Sequence, residues 1–529
     1  MAREYDPTCG SAGKVKAPLL TRMKSWESSW GKNNAELFAL LRLSVPVSVN
    51  YLLNRLVGFT SILFVGHLGP AELAAAALGG SLTNVIGLGI LGGLVGGMST
   101  LCGQAYGAKN YMLVGLVYQR ALLIVLLAAV PLATVLLFAR PLLVLGGQTI
   151  EVAEMTSAYI RWNLPTIFGY GAFVCTTRYL VCQGIVRPQV VSSATVLLLH
   201  PIVNWICIYG LGMGYVGAAL ASSISTWLQF LLLVVYIKFF KKGESTWPGW
   251  SSQCLKDWWT YIKLAGPCVL LASEWWALEI AIMMGGLLPD AALQLSAMAI
   301  YNSTNDLCFM VSNGMAVAVS TRVSNELGAG NPRAACHVCN LGLSLVLAAT
   351  CCLSLPIFIF RHQWGSLFTS DPQLISVIGS VLAVLAFFVI FDGVSVALGG
   401  VVRGTGSQAA AAPCTVASYY LLGLPAAAVL AFSLKLGVQG LCLGILLGAA
   451  ATDASFYFLM WRTDWSLEAD KAAERVGVKT LSGSADVSLG SIASLPMQEM
   501  NDSSEQQCAA GGEAARLLAG HLPMDQHQH

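Results

Sequence analysis

Five carboxylates stand inside long apolar runs of this chain: Glu274, Glu279, Asp306, Asp392 and Asp453. All five belong to its second half. The remaining acids fall in the polar ends of the chain or between apolar runs. An acid at bilayer depth costs about 2.5–3.5 kcal/mol on insertion scales, so by default it marks an ion or proton path. A low dielectric penalises the charged form. Such a carboxyl takes up a proton and gives it back when water or a cation arrives. Glu274 and Asp392 are set deepest and are the expected proton-coupling pair. Glu279 and Asp306 are secondary candidates. Asp453 is balanced between a functional role and a place near a span end.

The first half offers polar but uncharged residues at similar depth: Asn50, Asn54, Asn84, Asn163, His200 and Asn204. His200 and Asn204 are four apart, on one helix face, beside Pro201, which frees a backbone carbonyl in the preceding turn. Asn50, Asn54, His200 and Asn204, with Trp275 and Asn302, are the candidate residues of a substrate cavity. The competing role for each, taken singly, is a hydrogen bond across helices. Arg55 and Arg161 are expected to snorkel, or to pair with acids or carbonyls.

Other chemistry lacks its residues. There is no GxxxxGK[ST] loop, so the chain is not itself an ATP-driven pump. HExxH is absent. Cys336-x-x-Cys339 brackets His337, but no second ligand pair follows, which argues against zinc. No metal and no cofactor are expected. Asn302-Ser303-Thr304 is a glycosylation sequon buried in an apolar run, and Asn501-Asp502-Ser503 falls on the cytosolic side; neither is expected to be used.

These residues need a scaffold, and composition names its solvent. Of 529 residues, 56% are hydrophobic and 11% charged, against about 25% charged in a soluble domain. Mean hydropathy is +0.68. A net charge of +2 gives no nucleic-acid footprint. Fifteen cysteines are scattered along apolar stretches and read as small hydrophobes. The chain is a polytopic membrane protein.

A helical span needs about 20 mostly apolar residues. Twelve are expected, at 37–65, 73–100, 113–138, 154–181, 190–210, 214–237, 260–287, 293–318, 335–360, 374–400, 409–433 and 437–461. Residues 1–34 are polar and carry no cleavable signal pattern. Lys and Arg set the orientation. The N-terminal tail and the connections after even-numbered spans carry 17, the opposite connections 3. Both termini are therefore expected in the cytosol. Seven prolines inside spans, Pro46, Pro165, Pro201, Pro267, Pro356, Pro413 and Pro425, predict kinks. Gly89, Gly92, Gly93, Gly96 and Gly97 predict close helix packing on the second span.

The halves repeat. Ser99-Thr100, Gly107-Ala108 and Asn110 recur as Ser320-Thr321, Gly328-Ala329 and Asn331, at an offset of 221. Pro46 lands on Pro267 by the same offset, and Gly214 and Gly217 land on Gly437 and Gly440 at 223. Six spans per half make a parallel repeat, whose substrate site is expected near the midplane between the halves. The fold class is all-α, with 12 transmembrane helices in two six-helix lobes around a central cavity. The division is a cytosolic tail 1–34, an N-lobe 35–237, a cytosolic linker 238–259, a C-lobe 260–461 and a mostly disordered cytosolic tail 462–529, in which 467–476 forms a short helix.

Several long motifs carry a family resemblance. VGHLGPAELAAAALG (65–79), TLCGQAYGAKN (100–110), CQGIVRP (182–188), SEWWALE (273–279), STRVSNELGAGNP (320–332), GVVRGTGSQ (400–408) and TDWSLEADKAAERV (463–476) resemble the plant-type multidrug and toxic compound extrusion (MATE) family. The resemblance runs from about residue 34 to 476 in order and spacing. It implies two lobes in a V and export of organic cations, flavonoids, alkaloids or organic acids against protons or sodium. By the same resemblance the acid of the EWW motif is Glu274, the acid before the tenth-span glycine motif is Asp392, and Pro-x-x-Asn-Trp matches Pro201, Asn204 and Trp205. The first span holds Asn50 and Asn54 where some bacterial members carry Asp.

The expected function is a secondary active transporter, a proton-coupled antiporter exporting organic cations or other small xenobiotics and secondary metabolites. An uncoupled facilitator or transceptor is the alternative, and an intramembrane enzyme is disfavoured by the repeat and the absent motifs. The expected partners are a small organic substrate, protons and the lipid bilayer, with no nucleic acid, and the chain is expected to act as a monomer. KAPLL (16–20) resembles a dileucine sorting signal, consistent with a vacuolar membrane; the plasma membrane is the other address.

Overall fold

A computed structural model describes residues 16–240, 246–247 and 249–477, with side chains from residue 33. The expected calls on KAPLL, the tail cations before residue 33, Lys241-Lys242, Asn501 and the chain beyond 477 lie outside those residues and side chains.

Among the described residues the chain is helical, without strands. Twelve long helices follow one another: α1 (Lys16–Gly66), α2 (Pro70–Gly107), α3 (Tyr111–Leu137), α4 (Ile150–Val181), α5 (Arg187–Gly210), α6 (Tyr215–Phe239), α7 (Trp258–Gly285), α8 (Ala291–Gly328), α9 (Pro332–Ile359), α10 (Pro372–Thr405), α11 (Gln408–Ser433) and α12 (Gly437–Trp461). Eleven of them are long and apolar enough to cross a membrane, α4 being the other. α4 has the length, 32 residues, but Glu151, Glu154, Arg161, Asn163 and Arg178 dilute its apolar content. A thirteenth helix, α13 (Trp465–Arg475), closes the described chain. Asp464 caps it, its Oδ1 accepting from the Ser466 and Leu467 amides.

Helices α2 and α8 run well past the expected ends at 100 and 318, and α1 begins at Lys16 rather than 37. No proline stops α2 and α8 at the edge of their apolar stretch, so each continues to Gly107 and Gly328, and the chain turns at left-handed Lys109 and Gly330 two residues on. The face where α2, α4, α6, α8 and α10 end carries Lys109, Arg187, Lys238 and Arg333, and is called the basic face below.

The prolines act in two ways. The first stretch of α7 stops at Leu271, four residues after Pro267, which has no N–H to give the helix, and a new stretch starts at Ser273. Elsewhere the helix continues: it widens into π turns at Ile206–Gly210 after Pro201 and at Ala417–Gly423 and Val429–Ser433 after Pro413 and Pro425, and runs on as α-helix through Pro46, Pro165 and Pro356. The turns at 206–210 and 429–433 are 223 residues apart, the offset of the repeat. Gly217 packs on the backbone of Cys207, and Gly440 on Leu430 and Ala431, again 223 apart. The repeat is thus built into the packing.

One hydrophobic core gathers Leu91, Val117, Ile160 and Tyr179 of α2–α4. A second gathers Met298, Leu385, Tyr419 and Ile445 of α8, α10, α11 and α12. The two groups of helices meet along a seam that runs inward from the basic face. There Gly93, Gly96 and Gly97 of α2 lie on Val269, Cys268 and Ala265 of α7, so the glycine stripe serves close packing as its spacing predicts. Gly314 of α8 lies on Ser48 of α1, which is the Gly93–Val269 contact moved by 221. Gly107 presses on the backbone of Asn325, and Gly328 on that of Gln104. Hydrogen bonds reinforce the seam: Gln104 Nε2 donates to Gly404 O at 3.2 Å and Asn325 Nδ2 to Cys182 O at 3.3 Å. Arg322 forks onto Glu36 at 2.8 Å and also meets Glu326.

Helix α13 lies across this seam. Ala469 and Ala472 are buried against residues of α1, α8 and α9. Arg475 Nη1 donates to Thr405 O at 2.8 Å and to Gln104 Oε1 at 3.4 Å. Asn110 Nδ2 donates to Val476 O at 3.3 Å. Burial pushes the Arg475 guanidinium below its ordinary range, opposed by Glu468 and Glu474. The connection before α7 is docked too: Gln119 of α3 donates to Gly249 O at 2.6 Å and accepts from the Ser251 amide at 2.9 Å.

Candidate functional site

The break in α7 puts Glu274 in the first turn of a new helix. Unsatisfied amides at a helix start favour negative charge there. Tyr420 Oη holds that start in place by donating to Ser273 O at 3.1 Å. Asp392 of α10 is 6% exposed. Glu274 and Asp392 are electrostatic neighbours, and both also neighbour Asp453 of α12. The hydroxyls of Tyr301 (α8) and Tyr419 (α11), both fully buried, complete the group. Four helices of the second half and the restarted end of α7 therefore converge on three carboxyls and two phenols.

These groups are poor in partners. Neither Glu274 nor Asp392 forms a hydrogen bond or ion pair among the described residues. Asp453 borders Ser395, one turn beyond Asp392, yet its Oδ1 is buried without a partner, as is Tyr301 Oη. A buried charge without compensation is not tolerated. The cluster must hold protons, exchange them for a cation, or admit water. Its members are not disposed to share a metal ion.

The secondary acids sit elsewhere. Asp306 forms an ion pair with Arg55 of α1, a contact between the two halves. The side chains are 27% and 53% exposed, so this acid has its partner, and Arg55 its predicted pairing. Glu279, half-buried, neighbours Asp306. Trp275 is exposed and stands edge-on to Phe309, ring centroids 5.4 Å apart. Asn302 is half-buried on α8.

The polar residues of the first half form a different object. Asn54 Nδ2 donates to Asn50 O at 2.7 Å and to Ser193 Oγ at 3.1 Å. Ser193 Oγ donates to Asn50 Oδ1 at 2.7 Å, and Gln229 Nε2 to Asn54 Oδ1 at 2.6 Å. His200 bonds Ser61 through Nε2 at 2.8 Å and Ser225 through Nδ1 at 2.7 Å. Asn204 donates to His200 O at 3.1 Å. Asn50, His200 and Asn204 are buried and Asn54 is half-buried. In this conformation they touch protein, which is the cross-helix bonding weighed above.

Sequence reasoning left three members of the acid cluster unassigned. Asp453 carried a signal, being an acid in an apolar run. Tyr301 and Tyr419 carried none, because a tyrosine in an apolar helix is ordinary.

The comparisons with known proteins agree with this architecture. The family model MatE matches residues 46–206 and 268–429, one stretch in each half. Protein DETOXIFICATION 16 of Arabidopsis thaliana is 36% identical over 437 residues, covering 82% of this chain and 90% of its own. Multidrug and toxin extrusion protein 1 of Danio rerio is 34% identical over 456 residues, covering 86% and 77%. The crystal structure of the eukaryotic MATE transporter AtDTX14 superposes with a TM-score of 0.80 at 31% identity. It covers 84% of this chain and 99% of that one.

Proposed function

The chain belongs to the MatE family of multidrug and toxic compound extrusion transporters, and on that footing we propose that it is a proton-coupled antiporter. It is a multi-pass membrane transporter and not an enzyme. Under this reading it exports organic cations or other small xenobiotics and secondary metabolites by alternating access of a site between a lobe at 35–237 and a lobe at 260–461. The residues that carry protons are Glu274 and Asp392, with Asp453 beside them. The basic face is cytosolic, with both termini on that side. The protein works as a monomer, in the vacuolar or the plasma membrane.

One observation carries the reading: the unequal chemistry of the two lobes. In the first lobe the deep polar residues Asn50, Asn54, His200 and Asn204 are held in neutral hydrogen bonds. The second leaves Glu274 and Asp392 without hydrogen bond or ion pair among the described residues. Structural glue needs partners; a proton site needs a vacancy for its ligand. An acid that is neutral when protonated and anionic when free binds a proton or a cation, but not both well. Joined to alternating access, that competition exchanges one for the other across the membrane.

The test is transport by purified protein in liposomes with an imposed pH gradient. Uphill accumulation of a cationic dye that collapses when a protonophore is added supports the antiporter. Dye movement that only ever runs downhill, gradient or none, would replace it with a facilitator.

A further inference from the structure

The seam has two corners at the basic face that the repeat makes equivalent, and the lobes are tied differently at each. At the first, Arg322 of α8 joins Glu36 of α1 and Glu326 of its own helix. Moved by 221, Arg322 becomes Leu101, Glu36 becomes Asp257 and Glu326 becomes Ala105. Leu101 and Ala105 carry no charge, and Asp257 turns to Arg120 of α3 at 3.9 Å. The second corner therefore lacks the charged tie of the first.

Helix α13 supplies a tie there from outside the repeat. It starts at Trp465, directly after α12 ends at Trp461, and packs chiefly on α8 and α9, so the second lobe carries it. Its last residues cross to the first lobe. Val476, 3% exposed, enters the core that holds Leu101 and Ala105. Asn110 Nδ2 donates to Val476 O at 3.3 Å. Arg475 Nη1 serves both lobes at once, donating to Thr405 O of α10 at 2.8 Å and to Gln104 Oε1 of α2 at 3.4 Å. The guanidinium has a shaped seat. Helix α10 ends at Thr405, and the free carbonyls of a helix end favour a cation. The next residue is Gly406, on which a Cβ would stand 2.8 Å from Arg475 Cζ.

We propose that α13 is an autoinhibitory latch: gripping the first lobe through Arg475 and Val476, it holds the basic face closed, and the seam opens only when that grip lets go. The Arg322 tie belongs to helices that build the lobes. The α13 tie does not. It lifts by giving up two hydrogen bonds to the first lobe and baring one valine, while both lobes keep their cores. A binding site that is open in a fraction of the molecules has its apparent affinity reduced by that fraction. The latch sets the fraction open to the basic face. Its effect on transport rests on the alternating-access reading above; its effect on the seam does not.

Hydrogen exchange of the full-length protein in lipid nanodiscs reads latch and seam separately, through peptides covering 465–476 for the latch and 99–107 and 320–328 for the seam. Arg475→Gln should speed exchange in all three about ten-fold, the scale of hydrogen bonds from a charged donor. Asn110→Ser keeps a cap for the Leu113 amide but is too short for Val476 O. It should speed all three about three-fold, the scale of a neutral bond. Arg475→Lys, which keeps the charge, should fall between Arg475→Gln and the wild type. Peptides covering 121–137 and 374–400 should stay as protected as in the wild type, which separates a lifted latch from a loosened fold. Should Arg475→Gln lose that protection, Asn110→Ser carries the test. In liposomes with the basic face outward, Arg475→Gln and Asn110→Ser should take up a cationic dye with KM lowered several-fold and kcat undiminished. A freed 465–476 beside wild-type exchange at both seam peptides overturns the latch. A faster seam in protein that moves no dye, variant or wild type, keeps the latch and overturns the transport reading.

Discussion

Gly103 of α2 and Ser324 of α8 are equivalent residues of the two repeats, 221 positions apart, and they face each other across the seam. On one side of this pair Gly107 sits on the backbone of Asn325; on the other Gly328 sits on that of Gln104. Any side chain at Gly107 or Gly328 would overlap main chain, which cannot rotate away. Gly107→Val and Gly328→Val should therefore leave each lobe folded while preventing closure of the basic face. Export from liposomes should be lost, and exchange at 99–107 and 320–328 should be fast at every pH. Normal export by either variant would mean that the seam closes some other way.

Glu274→Gln and Asp392→Asn should each express, remain monodisperse and lose gradient-driven export by about 100-fold or more, as expected when a proton-transfer group is removed. Asp453→Asn should lose less, because Ser395 already borders that carboxyl. The measurement is dye accumulation against an imposed pH gradient. Equal and full activity of all three variants would take the cluster out of the mechanism.

Asp306 pairs with Arg55 and neighbours Glu279. Replacing Arg55 with Met leaves two neighbouring acids without their cation. Arg55→Met should lower thermal stability more than Arg55→Met/Asp306→Asn does, with a coupling energy of about 0.5–3 kcal/mol for groups in contact. The exposure of Arg55 places the value toward the lower end. Additive effects in a double-mutant cycle would show the pair to be idle.

Arg475→Ala removes the hydrogen bonds to Thr405 and Gln104 that dock α13. Hydrogen bonds from a charged donor are worth about 1.5–3 kcal/mol. The variant should melt earlier by that order and expose 465–475 to limited proteolysis from the basic face. An unchanged digestion pattern would show that Ala469 and Ala472 dock the helix unaided.

Most of the scaffold was legible because its cause is simple. Lipid demands long apolar helices, and runs such as 374–400 or 437–461 admit one interpretation. The repeat was legible because the glycines that make it, Gly107 and Gly328, are required by close backbone contact. The candidate site was legible only where it violated the pattern, so Glu274, Asp392 and Asp453 stood out, and Tyr301 and Tyr419 did not. His200 and Asn204 illustrate the converse. Depth and spacing marked them, but whether a buried polar group faces a partner or a void depends on helix rotation. That rotation is set by contacts from α1 and α6, distant in sequence, through Ser61 and Ser225.

The reciprocal contacts at the seam have an ancestral consequence. A two-fold axis generates both members of such a set from one, so a single six-helix chain bearing the glycine and its facing residue would close on a copy of itself. In that dimer every change strikes both halves at once: an acid gained is gained twice. Joining the halves into one chain lifts this constraint. One lobe can hold its deep asparagines and histidine in neutral hydrogen bonds and lend rigidity, while the other carries carboxyls without partners at a cost in stability that is met once. The asymmetry between the Asn50–Ser193–Gln229 network and the Glu274–Asp392–Asp453 cluster is a division of labour that only a fused pair can inherit.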